Sequence, residues 1–102
     1  MFHVEKIYIG EKAFYTYTIE LPKTTLLIVA NDIGYFSCRA LDIPVFDAVP
    51  SLREREVVCG CASGVKTINE LINAPLVKVT LGAKKLGIFE GMIVKEALMK
   101  LE

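Results

Sequence analysis

Residues 57 to 67, VVCGCASGVKT, bring together the side chains best suited to chemistry in this chain. Two cysteines stand one residue apart, two glycines follow a three-residue spacing, and a lysine and a threonine precede an apolar run. Such a stretch could cradle phosphate, present thiolates, or turn a strand into a helix. A triphosphate loop needs two glycines separated by four residues and a lysine directly after the second. Here Gly60 and Gly64 are separated by three, and Val65 intervenes before Lys66. The loop therefore cannot aim its N–H groups and the lysine at one phosphate. Thr67-Ile68-Asn69-Glu70 reads instead as a capping box, in which threonine and glutamate satisfy the first N–H groups of a helix. A simpler anion site survives this test. The start of that helix, with Ser63, Lys66 and Thr67, could hold a carboxylate or a single phosphate.

The cysteines follow the same logic. In an extended segment Cys59 and Cys61 point to one side, about 6.6 Å apart along the strand. A closed zinc site needs four ligands, and only Cys38 and His3 remain to complete it. The reading is therefore of no metal and no cofactor, with cysteines acting as small buried hydrophobes. Cys38 is the candidate nucleophile. It ends a strand beside Arg39, whose guanidinium could lower the thiol pKa, and Asp42 lies a turn further on. Cys38 and Asp42 are accordingly the catalytic candidates. The only imidazole is His3. Asp32 lies roughly 13 Å from Cys38 along the strand, too far to orient a base there within one chain. Asn31 and Asp32 are typical turn residues. With Tyr35 they join Ser63, Lys66 and Thr67 in the candidate ligand-binding set.

These groups must be positioned by the elements around them. Residues 2–9 (FHVEKIYI) and 13–21 (AFYTYTIEL) are rich in β-branched and aromatic residues, and Gly10-Glu11-Lys12 between them suits a hairpin. Pro22 stops the second strand because it has no N–H for a ladder. Residues 25–30 and 35–38 flank the Asn31–Gly34 turn, completing four antiparallel strands. Beyond them, Asp42 can cap a short helix over 43–46 that Pro50 limits. Residues 56–61 read as a strand, 67–73 as a short helix closed by Ala74-Pro75, and 76–81 as a further strand. Residues 92–101 read as a helix with Ile93, Val94, Ala97, Leu98 and Leu101 on one stripe. Glu96 and Lys100 make a favourable pair four residues apart on it. The expected class is α+β: an N-terminal antiparallel meander, then αβαβα, with the helices on one mixed sheet.

Length and composition set the frame. The chain has 102 residues, 53% apolar and 24% charged, which suits one globular domain with a core of its own. Twelve basic residues balance twelve acidic ones, so no electrostatic footprint for nucleic acid or an anionic membrane is present. No leader pattern appears, and Leu26–Ala30 is far too short to span a bilayer. Three cysteines, an odd number, do not suit a secreted disulfide framework. The expected location is the cytoplasm.

Three blocks, LPKTTLLIVANDIGYFSCRALDI, GVKTINELINAPLVKVT and LGIFEGMIVKEALMKL, resemble successive blocks of the YunC-like family, a domain family of unknown function. The resemblance covers nearly everything from Leu21 onward. Its shared positions here are Asn31, Asp32, Gly34, Tyr35, Cys38, Leu41, Asp42, Gly64, Thr67, Gly91 and Met92. Three departures stand out. Arg39 replaces a usual glycine and would crowd a pocket entrance. Cys59 and Cys61 replace other residue types. Ile93 and Val94 lie where a glycine is expected. The resemblance implies that an N-terminal β region mediates tetramer formation.

The residues support that implication on their own. One face of strand 13–21 carries Ala13, Tyr15, Tyr17, Ile19 and Leu21, and the other carries Phe14, Thr16, Thr18 and Glu20. Aromatics on both faces are hard to cover within one small domain, and large apolar patches mark interfaces. The partner expected is therefore the chain itself, as a dimer or tetramer joined through the hairpin over residues 1–21. Three functions follow as expectations: an oligomeric module for a small anionic metabolite, a cysteine enzyme using Cys38, or a structural and protein-interaction protein.

Overall fold

The computed structural model describes residues 2–38 and 57–101. Among these residues, six strands form one sheet in the order β1-β2-β3-β4-β5-β6. They are β1 (Phe2–Ile9), β2 (Lys12–Leu21), β3 (Thr24–Ala30), β4 (Tyr35–Cys38), β5 (Cys59–Ala62) and β6 (Lys78–Val79). Strands β1 to β4 are an antiparallel meander, as the turn residues predict. The next pair, β4 and β5, is parallel, and β6 returns antiparallel to β5. The sheet is thus mixed and the class α+β, as expected. The expected helix over 43–46, with Arg39, Leu41 and Asp42, falls outside the described residues.

Local chemistry accounts for the turns. Gly10 takes a left-handed φ of +63° in the first hairpin. The second hairpin turns on Pro22 and Lys23, and Lys23 adopts φ +64°, the sign that a type II turn demands after proline. Gly34 is required for a different reason. A Cβ there would run into the carbonyl oxygen of Val58 and lie 2.8 Å from Val58 Cγ1. Only glycine lets the start of β4 approach the chain entering β5 this closely.

Among the described residues, three short helices follow: α1 (Ile68–Ile72), α2 (Leu81–Lys85) and α3 (Val94–Leu98). The first matches the capping-box reading, with Thr67 as N-cap and Asn73 as C-cap. The second was not expected, since residues 76–81 read as one strand. Only Lys78–Val79 pair as β6. Thr80 then caps α2, its hydroxyl oxygen accepting from Ala83 N at 3.3 Å. The same oxygen donates to the Val57 carbonyl at 2.6 Å. A buried threonine with a local and a distant partner decides where the strand ends. The third helix is shorter than the expected 92–101, and Ile93 stands outside it as the N-cap. Past Leu98 the chain closes through bonds from Lys100 N to Ala97 and from Leu101 N to Leu98, the tighter spacing common at helix ends. Val94, Ala97, Leu98 and Leu101 are buried, as the stripe predicts.

The main core lies between the helices and one face of the sheet. Phe14, Leu27, Val29 and Phe36 enter it from the strands, and Leu71, Ile88, Val94 and Leu98 from the helical side. Each such side chain contributes roughly 1.5–3 kcal/mol by leaving water. Register fixes which face this is. Phe14 is fully buried, so its neighbours two residues away share its side and the tyrosines take the other. The sheet is therefore covered on the phenylalanine side and open on the tyrosine side of β1–β3. Two side-chain bonds draw the C-terminal segment back onto the meander. Lys12 Nζ donates to the Met99 carbonyl at 2.9 Å, and Asn31 Nδ2 donates to the Leu101 carbonyl at 3.0 Å. No described helix is long and apolar enough to cross a membrane.

Candidate functional site

The candidate ligand-binding residues divide between the two ends of β4. Asn31, Asp32 and Tyr35 sit where β4 begins, and Cys38 closes it. Cys38 is paired in register with Ala62, so Ser63 and the loop to α1 belong to that second end. A strand of this length separates Tyr35 from Cys38 by about 10 Å. The cavity at the first end is lined by none of the second group.

At the first end, residues 30–35 with Val57 and Val58 line a cavity of about 330 Å³. Asn31 is spent on structure within it. Its Oδ1 accepts from Ile33 N at 2.8 Å and Gly34 N at 3.2 Å, an Asx-type turn, while Nδ2 holds Leu101. Asp32 is exposed. Tyr35 is half-buried on the tyrosine side of the sheet, opposite Cys59 in register. Burial pushes its phenol pKa up from 10.0, and the Coulombic effect of Cys59 and a hydrogen bond with it add to the rise. The phenol is thus held neutral, as a hydrogen-bonding group and not as a base.

At the second end, Cys38 faces the main core and is 6% exposed. Its sulfur accepts from Leu27 N at 3.4 Å and donates to the Thr25 carbonyl at 3.6 Å. The thiol continues the β3–β4 pairing one step beyond the backbone ladder. That is a structural task, and it turns the sulfur away from solvent. The other two cysteines are buried, as expected of small apolar side chains. Cys59 and Cys61 form no disulfide and lie on the opposite face, packed with Tyr35, Val57 and Val77.

The start of α1 is already supplied with an anion. Thr67 Oγ1 accepts from Glu70 N at 3.1 Å, and the Glu70 carboxylate accepts from Lys66 N at 2.7 Å. In a standard capping box the glutamate returns to the N–H of the capping residue itself. Here it reaches one residue further and occupies the donor that an incoming anion would use. Ser63 and Lys66 are exposed beside it. Among the described residues no group of three or more histidine, cysteine, aspartate or glutamate side chains could hold a metal.

Two features were not among the candidates. The first is the breadth of the open sheet face. Phe2 is 60% exposed, Tyr8 64%, Leu21 50%, Val4 47% and Tyr15 45%. All five share one side of β1 and β2 by register. Tyr17, Ile19, Ile28, Ala30 and Tyr35 line an apolar hollow of about 350 Å³ on the same face. Alternation within strand 13–21 foretold part of this, but not that β3 and β4 extend it. The second is a polar cleft lined by His3, Glu5, Thr16, Thr18 and Ile68. The alternation of His3 and Glu5 along one strand was its only sequence signal.

Comparison with known proteins agrees with this architecture. The family model described as "Domain of unknown function (DUF1805)" matches residues 37–101. The uncharacterized protein YunC of Bacillus subtilis is 45% identical over 101 residues, covering 99% of this chain and 98% of that protein. The crystal structure of TA1206 from Thermoplasma acidophilum, a protein of unknown function, superposes with a TM-score of 0.87 at 24% identity. That likeness covers 100% of this chain and 94% of the other, and it speaks to fold alone.

Proposed function

The chain belongs to the YunC-like DUF1805 family of unknown function, and we propose that it works as a single-domain, homo-oligomeric binding module whose copies cover one another's open sheet face. One observation carries this reading. Five large apolar side chains, each 45–64% exposed, lie on one side of the N-terminal hairpin and flank an apolar hollow. An exposed apolar surface of this kind is a marker of an interface. Tyrosine fits such a surface, since its ring is buried in the contact while the hydroxyl keeps a polar partner. Charge does not oppose self-contact. Lys6 is the only charged residue on that side of β1–β3, and its ammonium lies 5.6 Å and 5.9 Å from the ring centroids of Tyr8 and Tyr15. A symmetric pair of these faces is self-complementary, which suits a dimer or a dimer of dimers. Three cysteines with no disulfide among them fit a reducing, cytoplasmic setting.

Sedimentation tests the assembly. The wild type at about 100 µM should run as a multiple of the 11.3 kDa chain. The double variant Val4→Glu, Tyr15→Glu should run as one chain with its far-UV spectrum retained. A wild type that stays a single folded chain at that concentration would sink the proposal.

A small anion as ligand is the less supported half of the reading. Ser63 and Lys66 are exposed, but Glu70 holds the Lys66 N–H. An anion must displace that carboxylate. Phosphate at about 10 mM should therefore raise the melting temperature of Glu70→Ala more than that of the wild type. Equal, null responses in both proteins would remove anion capture at α1. The reading of Cys38 as a nucleophile draws no support from its geometry, because the sulfur is buried and bonded to two backbone groups.

A further inference from the structure

The polar cleft lies on the helix side of the sheet, opposite the face proposed for assembly. It lies at the outer end of β1 and β2 and has a volume of about 320 Å³. Register builds its floor. His3 pairs with Thr18 and Glu5 with Thr16, so four side chains form a block of two by two on one face. Cross-strand neighbours in such a block stand roughly 5 Å apart, and neighbours along a strand roughly 7 Å. The same face carries Ile7, Ile9 and Phe14 into the core further along. Among the described helices, α1 packs on β3. Ile68 at the start of α1 forms the remaining wall.

From this lining we infer a binding site for a small aliphatic amine that carries a hydroxyl group. Glu5 supplies negative charge and has no cationic partner among the described residues. It calls for a cation. Thr16 is buried, and its hydroxyl donates to the Glu5 carbonyl at 3.4 Å, so it offers a ligand only its lone pairs. Thr18 and the His3 imidazole can each donate or accept, which suits a hydroxyl between them. Ile68 faces the methylene groups. A metal ion fits less well. Only His3 and Glu5 in the lining are ordinary metal ligands, fewer than the three of an open zinc site. The volume is also that of a small-molecule pocket.

His3 is the sole histidine of the chain, so its imidazole proton resonances report on the cleft without ambiguity. The probes are ethanolamine, glycolate and ethylene glycol, three molecules of nearly equal size that differ in charge. In the full chain at constant ionic strength, ethanolamine should shift the His3 resonances saturably, with half-saturation at about millimolar concentration. Glycolate and ethylene glycol should produce no saturable shift. Glu5→Gln, an isosteric change at an exposed side chain, should weaken the response by roughly tenfold or more. Thr18→Val should weaken it too, while Glu90→Gln, remote from the cleft, should leave it unchanged. The inference is overturned if ethanolamine does not saturate, if glycolate acts equally, or if Glu5→Gln responds like the wild type. Saturation by zinc at micromolar concentration, with none by ethanolamine, would also overturn it and make the cleft a metal site. Failure of the assembly would appear separately, as a single-chain mass in sedimentation.

Discussion

The side-chain amide of Asn31 donates to the carbonyl of Leu101 at 3.0 Å, across 70 positions of sequence. The same side chain accepts from two backbone N–H groups in its own turn. One residue therefore shapes the β3–β4 turn and anchors the end of the chain. Removing all three bonds in Asn31→Ala should cost about 2–3 kcal/mol, at roughly 1 kcal/mol per bond. Asn31→Asp keeps the turn acceptor and loses only the donor to Leu101, one bond of the three, so it should cost about a third as much. Urea unfolding of the three proteins checks the order. Equal stability of Asn31→Ala and the wild type would show that these bonds contribute nothing.

Gly34→Ala should be more damaging than its one added carbon suggests. The new Cβ meets the Val58 carbonyl, a backbone atom that cannot swing aside. The strands must part where Tyr35 N bonds Val58 O at 3.0 Å. A loss of about 2–4 kcal/mol is expected, in the range of overpacking and of a broken ladder bond together. Gly10→Ala is the contrast, with no neighbour in reach but a left-handed φ of +63°. It should cost only about 1 kcal/mol.

Tyr35 predicts an alkaline limb of stability. Its pKa is raised in the folded protein above the ordinary 10.0. The folded state thus holds its proton where the unfolded state releases it. Stability should be unaffected by this group below about pH 10 and should fall as pH rises beyond that. In Tyr35→Phe the fall should be smaller. Chemical denaturation from neutral to alkaline pH reads the slope, and an unchanged slope in the variant would refute the assignment.

Thiol reactivity separates a structural Cys38 from a catalytic one. All three cysteines are at most 6% exposed. Native protein should react with a thiol reagent much more slowly than a free thiol at neutral pH, and all three should label promptly in denaturant. Rapid labelling of a single site in the native protein, lost in Cys38→Ala, would restore the nucleophile.

Much of this molecule follows from short-range pattern. Alternating β-branched and aromatic residues mark β1 and β2, and Pro22 and Asn31–Gly34 mark the turns, because two-residue periodicity and turn stereochemistry are local properties. The Thr67–Glu70 box and the Val94–Leu101 stripe are legible for the same reason. Leu76–Leu81 misled, since its apolar run fits a strand until Thr80 finds the Val57 carbonyl 23 positions earlier. The surroundings of the candidate residues are decided at that longer range. Sequence alone makes Asn31 a turn residue, but only the fold brings it to Leu101. It makes Cys38 a thiol beside an arginine, but only the β3–β4 pairing gives that sulfur its two backbone partners. It places His3 and Glu5 on one side of a strand, but register against Thr18 and Thr16, and the approach of Ile68, make a cleft of them. Composition and periodicity say what each side chain can do. Strand pairing decides which side chains meet, because register is a property of two segments and is written in neither one.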